Sequence, residues 1–310
     1  MTKRGTGTLN ISGPGETDLQ SVEVEGGTLH IGAAGSVVPS AGATLDTRAA
    51  SGATLNVDGS FGCGDGDDSM TVAGAVSGSG AVAMCGGDDT LTLQDGAVLD
   101  NIIDGGADID MVVLDAATAM AFDAARTINF EVLRKQGDGI ATLTGAATFS
   151  GGTQLDGGTL AVAAGASLTT PEVALADGTT LDVAGALQGE GGAALLAGSA
   201  GANTVKVSGT LFATGDLGGG DDVLDVGGTL DTGTGTGTGT LALGDGNDTL
   251  TIHDGTHIVG TVSAGAGNDT FNTDIATRAD LGAVQGFETL RKTGAGTLDV
   301  NGPASSDFTT

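Results

Sequence analysis

Six aspartates set at near-constant intervals are the residues best able to do chemistry in this sequence. Asp68, Asp89 and Asp110 stand 21 residues apart in GDGDDSMTV, CGGDDTLTL and GADIDMVVL. Asp222, Asp248 and Asp269 follow in LGGGDDVLDV, GDGNDTLTI and GAGNDTFNT, at intervals of 26 and 21. If each interval is one turn of a stacked structure, the carboxylates form a column, and charges ~4.8 Å apart repel by about 1 kcal/mol in water and by more near a protein surface. Something must relieve that repulsion. Calcium is one candidate, because it takes several oxygen ligands and tolerates irregular geometry. The other is a hydrogen bond to each carboxylate from amides of its own Gly-rich turn, as Asp commonly makes. The residues leave both open, and the second needs no cofactor.

The remaining candidates are few. Cys63 and Cys85 lie in the matching contexts GCGDGDD and MCGGDD, and their separation of 22 is nearly one interval. A disulfide between neighbouring coils is expected, worth ~3 kcal/mol in the chain-entropy model and pointing to an oxidising compartment. The alternative is two small buried residues. The histidines are His30, His253 and His257; the pair in HDGTH suggests a metal site or a general base, but Gly255 between them argues against the helix that would align them. They read as surface-turn residues. No nucleophile elbow, P-loop or zinc-spaced Cys/His set is visible, so no catalytic residue, no cofactor-binding residue and no required cofactor is expected, with Ca2+ the one open candidate.

These aspartates need elements to hold them. A Gly-rich turn followed by T-L-T-L at Thr90 or S-M-T-V at Ser69 reads as turn and strand, since side chains alternate faces along a strand. Plainer segments behave alike: GGTLHI at Gly26, SGATLNV at Ser51, GGTLAV at Gly157, GTTLDV at Gly178 and NTVKV at Asn203, with Leu160 and Leu181 again 21 apart. A coil of ~20 residues that cannot bury its own apolar face must stack on its neighbours, which is the logic of a solenoid. Helix is a poor rival, because Gly recurs every few residues and costs about 1 kcal/mol relative to Ala in a helix interior. Only DAATAMAFDAARTINF, from Asp115, suits a short helical turn.

A longer repeat encloses the coils. FEVLRKQGDG at Phe130 returns as FETLRKTGAG at Phe287, an offset of 157 residues with seven of ten positions identical, and TKRGTGTLNISG near the start aligns with RKTGAGTLDVNG, placing Lys3 opposite Lys135 and Lys292. This divides one continuous solenoid into residues 1–134, 135–291 and the start of a third repeat at 292–310.

Composition narrows the class. The chain has 310 residues, 59 of them Gly, no Trp or Tyr, and a net charge of −29 from 10 Lys plus Arg against 39 Asp plus Glu. Such acidity repels a phosphate backbone, so nucleic acid is not a partner. The core must be built from small apolar residues. No window supplies the ~20 apolar residues of a membrane span, and MTKRGTGTLN lacks the apolar core of a signal peptide, so the chain is expected to be either cytosolic or a fragment of an exported parent.

The run KQGDGIATLTGAATFSGGTQLDGGTLAVAAGASL, from Lys135, resembles the autotransporter-associated β-strand repeat, whose pattern is a K-x-G-x-G-T-L opening followed by T-x-S-G-G-T and G-G-T-L. EGGTLHIGAAGSV supplies the second half again after Lys3. The resemblance implies an all-β fold, a right-handed parallel β-helix with coils of about 21 residues, in a passenger exported through the outer membrane of a Gram-negative bacterium to its surface or beyond. The implied partners are the rest of the parent chain and the surface of a host or neighbouring cell. The family's translocation barrel, with its aromatic girdles, is not seen in these residues. The Gly/Asp turns also resemble the calcium-binding nonapeptide G-G-x-G-x-D-x-U-x of secreted repeat toxins, through Gly64, Gly66, Asp68 and Met70 and through Gly244, Gly246, Asp248 and Leu250. Toxin arrays repeat every nine residues, and an interval of 21 excludes a full β-roll. The expected function is a non-catalytic structural or adhesive stalk. A calcium-stabilised extracellular module is the first alternative and a carbohydrate-active β-helix enzyme the second, weakened by the absence of Trp and Tyr platforms.

Overall fold

Short runs such as Ser69–Val72 and Thr90–Gln94 form strands because alternation sends Met70, Val72, Leu91 and Leu93 to one face and Ser or Thr to the other. A computed structural model describes residues 1–13, 20–37, 45–62, 64–233, 239–280 and 283–299. Among them the chain is almost wholly β, in parallel strands stacked as a β-solenoid with a basic period of 21 residues. None of the described helices is long and apolar enough to cross a membrane. The chain divides into two compact units, Met1–Ala141 and Thr142–Thr310.

In the first unit each full coil visits three faces. The first face runs from Thr2–Lys3 to Val132–Gln136, the second from Thr8–Ile11 to Val98–Leu99, and the third from Ser36–Val37 to Thr127–Ile128. Neighbouring strands on each face are parallel. Register pairs Ser69 with Thr90 and Thr90 with Met111, so identical positions recur every 21 residues. Inward columns follow: Met70, Leu91, Val112 and Leu133 in one, and Val72, Leu93, Leu114 and Lys135 in the next. Each fully buried Leu or Val contributes about 1.5–3 kcal/mol, so a core without Trp or Tyr is sufficient when the columns are long.

The second unit repeats the plan. Its first face runs from Thr159–Val162 to Thr289–Thr293, its second from Ala146–Thr148 to Thr297–Asp299, and its third from Gly152–Leu155 to Ala283–Gln285. Leu160, Leu181, Val205, Leu224, Leu250 and Phe271 form one inward column. Leu160 and Leu181 are 21 apart, whereas Leu224 and Leu250 are 26 apart. The longer coil places residues 232–239 between Thr229–Asp231 and Thr240–Asp245, while one coil on, His257–Val259 leads almost directly into Thr261–Ala266. Within that insertion 234–238 lie outside the described residues. Phe271 and Phe287 pack at 5.8 Å between ring centroids.

The segment from Asp115 is mostly strand. Ala119–Asp123 alternates Met120 and Phe122 into the core, and helical geometry is confined to a 3-10 turn at Ala124–Arg126, where the Asp123 carboxylate accepts from the Ala125 N–H at 3.1 Å.

Candidate functional site: buried carboxylate ladders

Each of the six spaced aspartates sits at the last residue of a Gly-rich turn, immediately before a first-face strand. The turn is tight because coils nearly touch there: a Cβ on Gly106 would lie 1.9 Å from the Cys85 carbonyl oxygen. All six side chains face inward, and none of these residues is more than 2% exposed.

The structure brings them together as two ladders. In the first unit the Leu45 N–H donates to Asp68 Oδ1 (2.5 Å), the Asp68 N–H to Asp89 Oδ1 (2.7 Å), the Asp89 N–H to Asp110 Oδ1 (2.8 Å), and the Asp110 N–H to Glu131 Oε2 (2.9 Å). In the second, the N–H of Asn203 donates to Asp222 Oδ1 (2.6 Å), that of Asp222 to Asp248 Oδ1 (2.8 Å), that of Asp248 to Asp269 Oδ1 (2.7 Å), and that of Asp269 to Glu288 Oε2 (2.7 Å). The acceptor role is the expected one, but the donors differ: they belong to the neighbouring coil and not to the aspartate's own turn. The reason is geometric. In a stacked coil the backbone N–H at this position points along the stack, where a turn offers no strand carbonyl, and the next coil's carboxylate takes that place. The carbonyls of Asp68 and Asp89 accept from the N–H of Thr90 and Met111, so these aspartates tie their coil to the next twice.

The second oxygen, Oδ2, of all six aspartates is buried without a hydrogen-bond partner among the described residues. Desolvation pushes the carboxyls of Asp68, Asp110 and Asp248 up to about 6 and those of Asp89 and Asp222 up to about 7, and it raises Asp269 as well. The backbone bond works against this rise, and neighbouring carboxylates add to it. Among the described residues no group of three or more His, Cys, Asp or Glu side chains is placed to hold a metal ion. Calcium at these turns would have to be held largely by backbone oxygens.

One residue earlier runs a second, outer ladder. The Asp88 N–H donates to Asp67 Oδ1 and the Ile109 N–H to Asp88 Oδ1, both at 3.0 Å. Likewise the Asn247 N–H donates to Asp221 Oδ1 (2.8 Å) and the Asn268 N–H to Asn247 Oδ1 (3.2 Å). Successive residues of an extended chain face opposite ways, so the outer bonds run in the opposite direction to the inner ones.

Four participants escape a reading of the sequence. Glu131 and Glu288 close the ladders; their signal was the spacing, 21 residues after Asp110 and 19 after Asp269. Asn203 heads the second ladder, 19 residues before Asp222, and its amide also donates to the Ala176 carbonyl (2.7 Å) and Thr179 Oγ1 (3.1 Å). Lys135 is the fourth. It occupies a core position in register with Leu114, is fully buried, and its Nζ donates to the carbonyls of Gln136 (2.9 Å) and Gly137 (2.7 Å). Lys3 makes the same turn bonds, to Arg4 and Gly5, and Lys292 makes them to Thr293 and Gly294. The K-x-G-x-G opening is thus a lysine-capped turn: Gly137 holds φ +77, and a Cβ on Gly139 would meet the Thr118 carbonyl oxygen at 2.2 Å.

The histidines bridge coils. His253 Nε2 lies 2.7 Å from Asp225 Oδ1, and His30 lies 3.1 Å from Asp58 Oδ2 and 3.0 Å from Asn10 Oδ1. His253 ends a first-face strand and His257 begins a second-face one, so the two are not brought into one site. Cys63 lies outside the described residues. Among the described residues Cys85 has no disulfide partner, and its Sγ lies 3.8 Å from the Ala83 carbonyl oxygen.

Comparison with known proteins bears on the lysine-capped turns. Residues 133–162 and 290–309 match the model of a family described as the passenger-associated-transport-repeat. No curated protein and no solved structure matches the chain. The first matched segment starts inside Val132–Gln136, passes through the Lys135 turn and ends with Thr159–Val162. These two matches, in a chain whose described residues form a parallel β-solenoid, support an autotransporter passenger with β-helix repeats.

Proposed function

We propose that this chain is a non-catalytic structural segment of an exported passenger, a stalk that carries other parts of its parent chain at or beyond the surface of a Gram-negative cell and lends itself to adhesion. One observation carries this reading: the groups that would do chemistry are consumed by the backbone. Lys135 gives its ammonium to carbonyls of its own turn, and each ladder aspartate and closing glutamate gives one carboxylate oxygen to an amide of the neighbouring coil, the second oxygen of each aspartate being buried away from solvent. A catalytic acid must instead reach a substrate proton.

Display is the test. A passenger carrying this segment beneath an epitope is expected to present the epitope on intact cells and to support cell–cell or cell–surface attachment, which deletion of the segment weakens. The purified chain is expected to leave acidic polysaccharides uncleaved. Cleavage that persists after purification would overturn the non-catalytic reading, and attachment unaffected by the deletion would overturn the adhesive one.

A further inference from the structure

We infer that the two inner ladders are proton-binding sites built into the solenoid, so that each unit takes up protons as its coils close and is more stable in mild acid than in mild base. The geometry is the ground for this. Each ladder aspartate uses Oδ1 to accept an amide N–H from the neighbouring coil and leaves Oδ2 buried without a partner among the described residues. A carboxylate so placed has lost water on one oxygen and gained nothing there, and neutralisation by a proton on Oδ2 removes that cost.

Among the described residues no counter-charge acts on the ladders. The charged groups acting on the ladders are all acidic: Asp46 and Asp67 on Asp68; Asp68, Asp110 and Asp67 on Asp89; Glu131, Asp88 and Asp108 on Asp110. In the second unit they are Asp248, Asp216 and Asp221 on Asp222; Asp269, Asp221 and Asp216 on Asp248; and Glu288 on Asp269. Burial and this like-charge crowding raise the carboxyls in the same direction. A converging metal site does not relieve them either, since no such group exists among the described residues. The column also accepts a neutral residue, because Asn203 stands in register one coil before Asp222, its neighbour Thr204 pairing with Val223. A proton does the same at the aspartates without changing the chain.

The experiment is thermal melting of the full 310-residue chain at pH 5 and pH 8, with calcium and with chelator, beside the double variant Asp89→Asn, Asp248→Asn. The expected result is a higher melting temperature at pH 5 than at pH 8 in chelator, with the difference reduced in the variant, since every other titrating group is common to both proteins. Should the variant fail to fold, potentiometric titration of the folded wild-type chain against the denatured chain serves instead. At pH 6 the folded chain is expected to hold more protons, about half of one at each of Asp68, Asp110 and Asp248 and most of one at each of Asp89 and Asp222. A melting temperature that is flat or falls in acid, a difference the variant keeps in full, stabilisation by calcium alone, or no extra protons on the folded chain would each overturn the proposal.

Discussion

Asp88 and Asp89 are neighbours in the chain and do opposite things. Asp88 is exposed, donates its N–H backward to Asp67 and accepts from the N–H of Ile109, one coil onward. Asp89 is 1% exposed, donates its N–H onward to Asp110 and accepts from Asp68, one coil back. Both bind coil to coil, but the outer position is filled by Asp67, Asp88, Ile109, Asp221, Asn247 and Asn268, whereas the inner one is Asp in all six turns. The difference teaches that the hydrogen bond itself does not demand a particular side chain at a wet position. Burial does, because a buried N–H left without an acceptor costs about 1–3 kcal/mol.

The sharpest way to break this comparison is to remove a buried charge that has no outer counterpart. Lys135→Ala strips the cap from the Gln136 and Gly137 carbonyls and empties a core position, and we expect a loss of about 3–5 kcal/mol in denaturant unfolding. Next comes the pair at one turn. Asp89→Ala orphans the Asp68 N–H and is expected to cost about 1–3 kcal/mol, while Asp88→Ala stays within about 0.5 kcal/mol; equal losses would erase the distinction between ladders.

Acidity sharpens the comparison by sign. A carboxyl raised to about 6 or 7 in the fold, as at Asp68, Asp89, Asp110, Asp222 and Asp248, gives stability that is fully present below its ordinary 3.8 and lost as pH rises through the folded value. Half-buried Asp58 and exposed Asp254 are held low by backbone hydrogen bonds from Ser79 and Thr277, so their contribution is lost at the other end, as pH falls below 3.8. Melting temperature is therefore expected to peak near pH 4, to fall from there to about pH 7 as the unfolded chain ionises ahead of the folded one, and to stay low at pH 8. The smallest effect is expected of Asn247→Asp, which keeps an exposed acceptor for the Asn268 N–H but replaces the amide donor to Asp221 Oδ1 by a like charge in water, and a loss of about 0.5 kcal/mol is expected.

The coil was legible in the residues because strand alternation and a repeating turn both carry the period, and Ser69, Thr90 and Met111 fall in register at that spacing. The inner column was legible for the same reason. Its donors were not, since sequence spacing gives which residues stack but not which way an amide points. Lys135 was hidden by a sound rule: lysine is seldom buried, and only the folded chain shows its stem lying in a leucine column with the ammonium turned back to its own turn. Glu131 and Glu288 were visible as part of F-E-x-L-R-K but read as repeat markers, although their distance from the last aspartate was one coil.

Amide hydrogen exchange tests the central claim most directly, because it reads the ladder bonds one by one. The N–H groups of Asp68, Asp89, Asp222 and Asp248 are expected to exchange as slowly as those of the core strands, and those of Asp88, Ile109, Asn247 and Asn268 much faster. Inner amides that exchange as fast as the outer ones would contradict the account, since the buried carboxylates would then not be holding coil to coil.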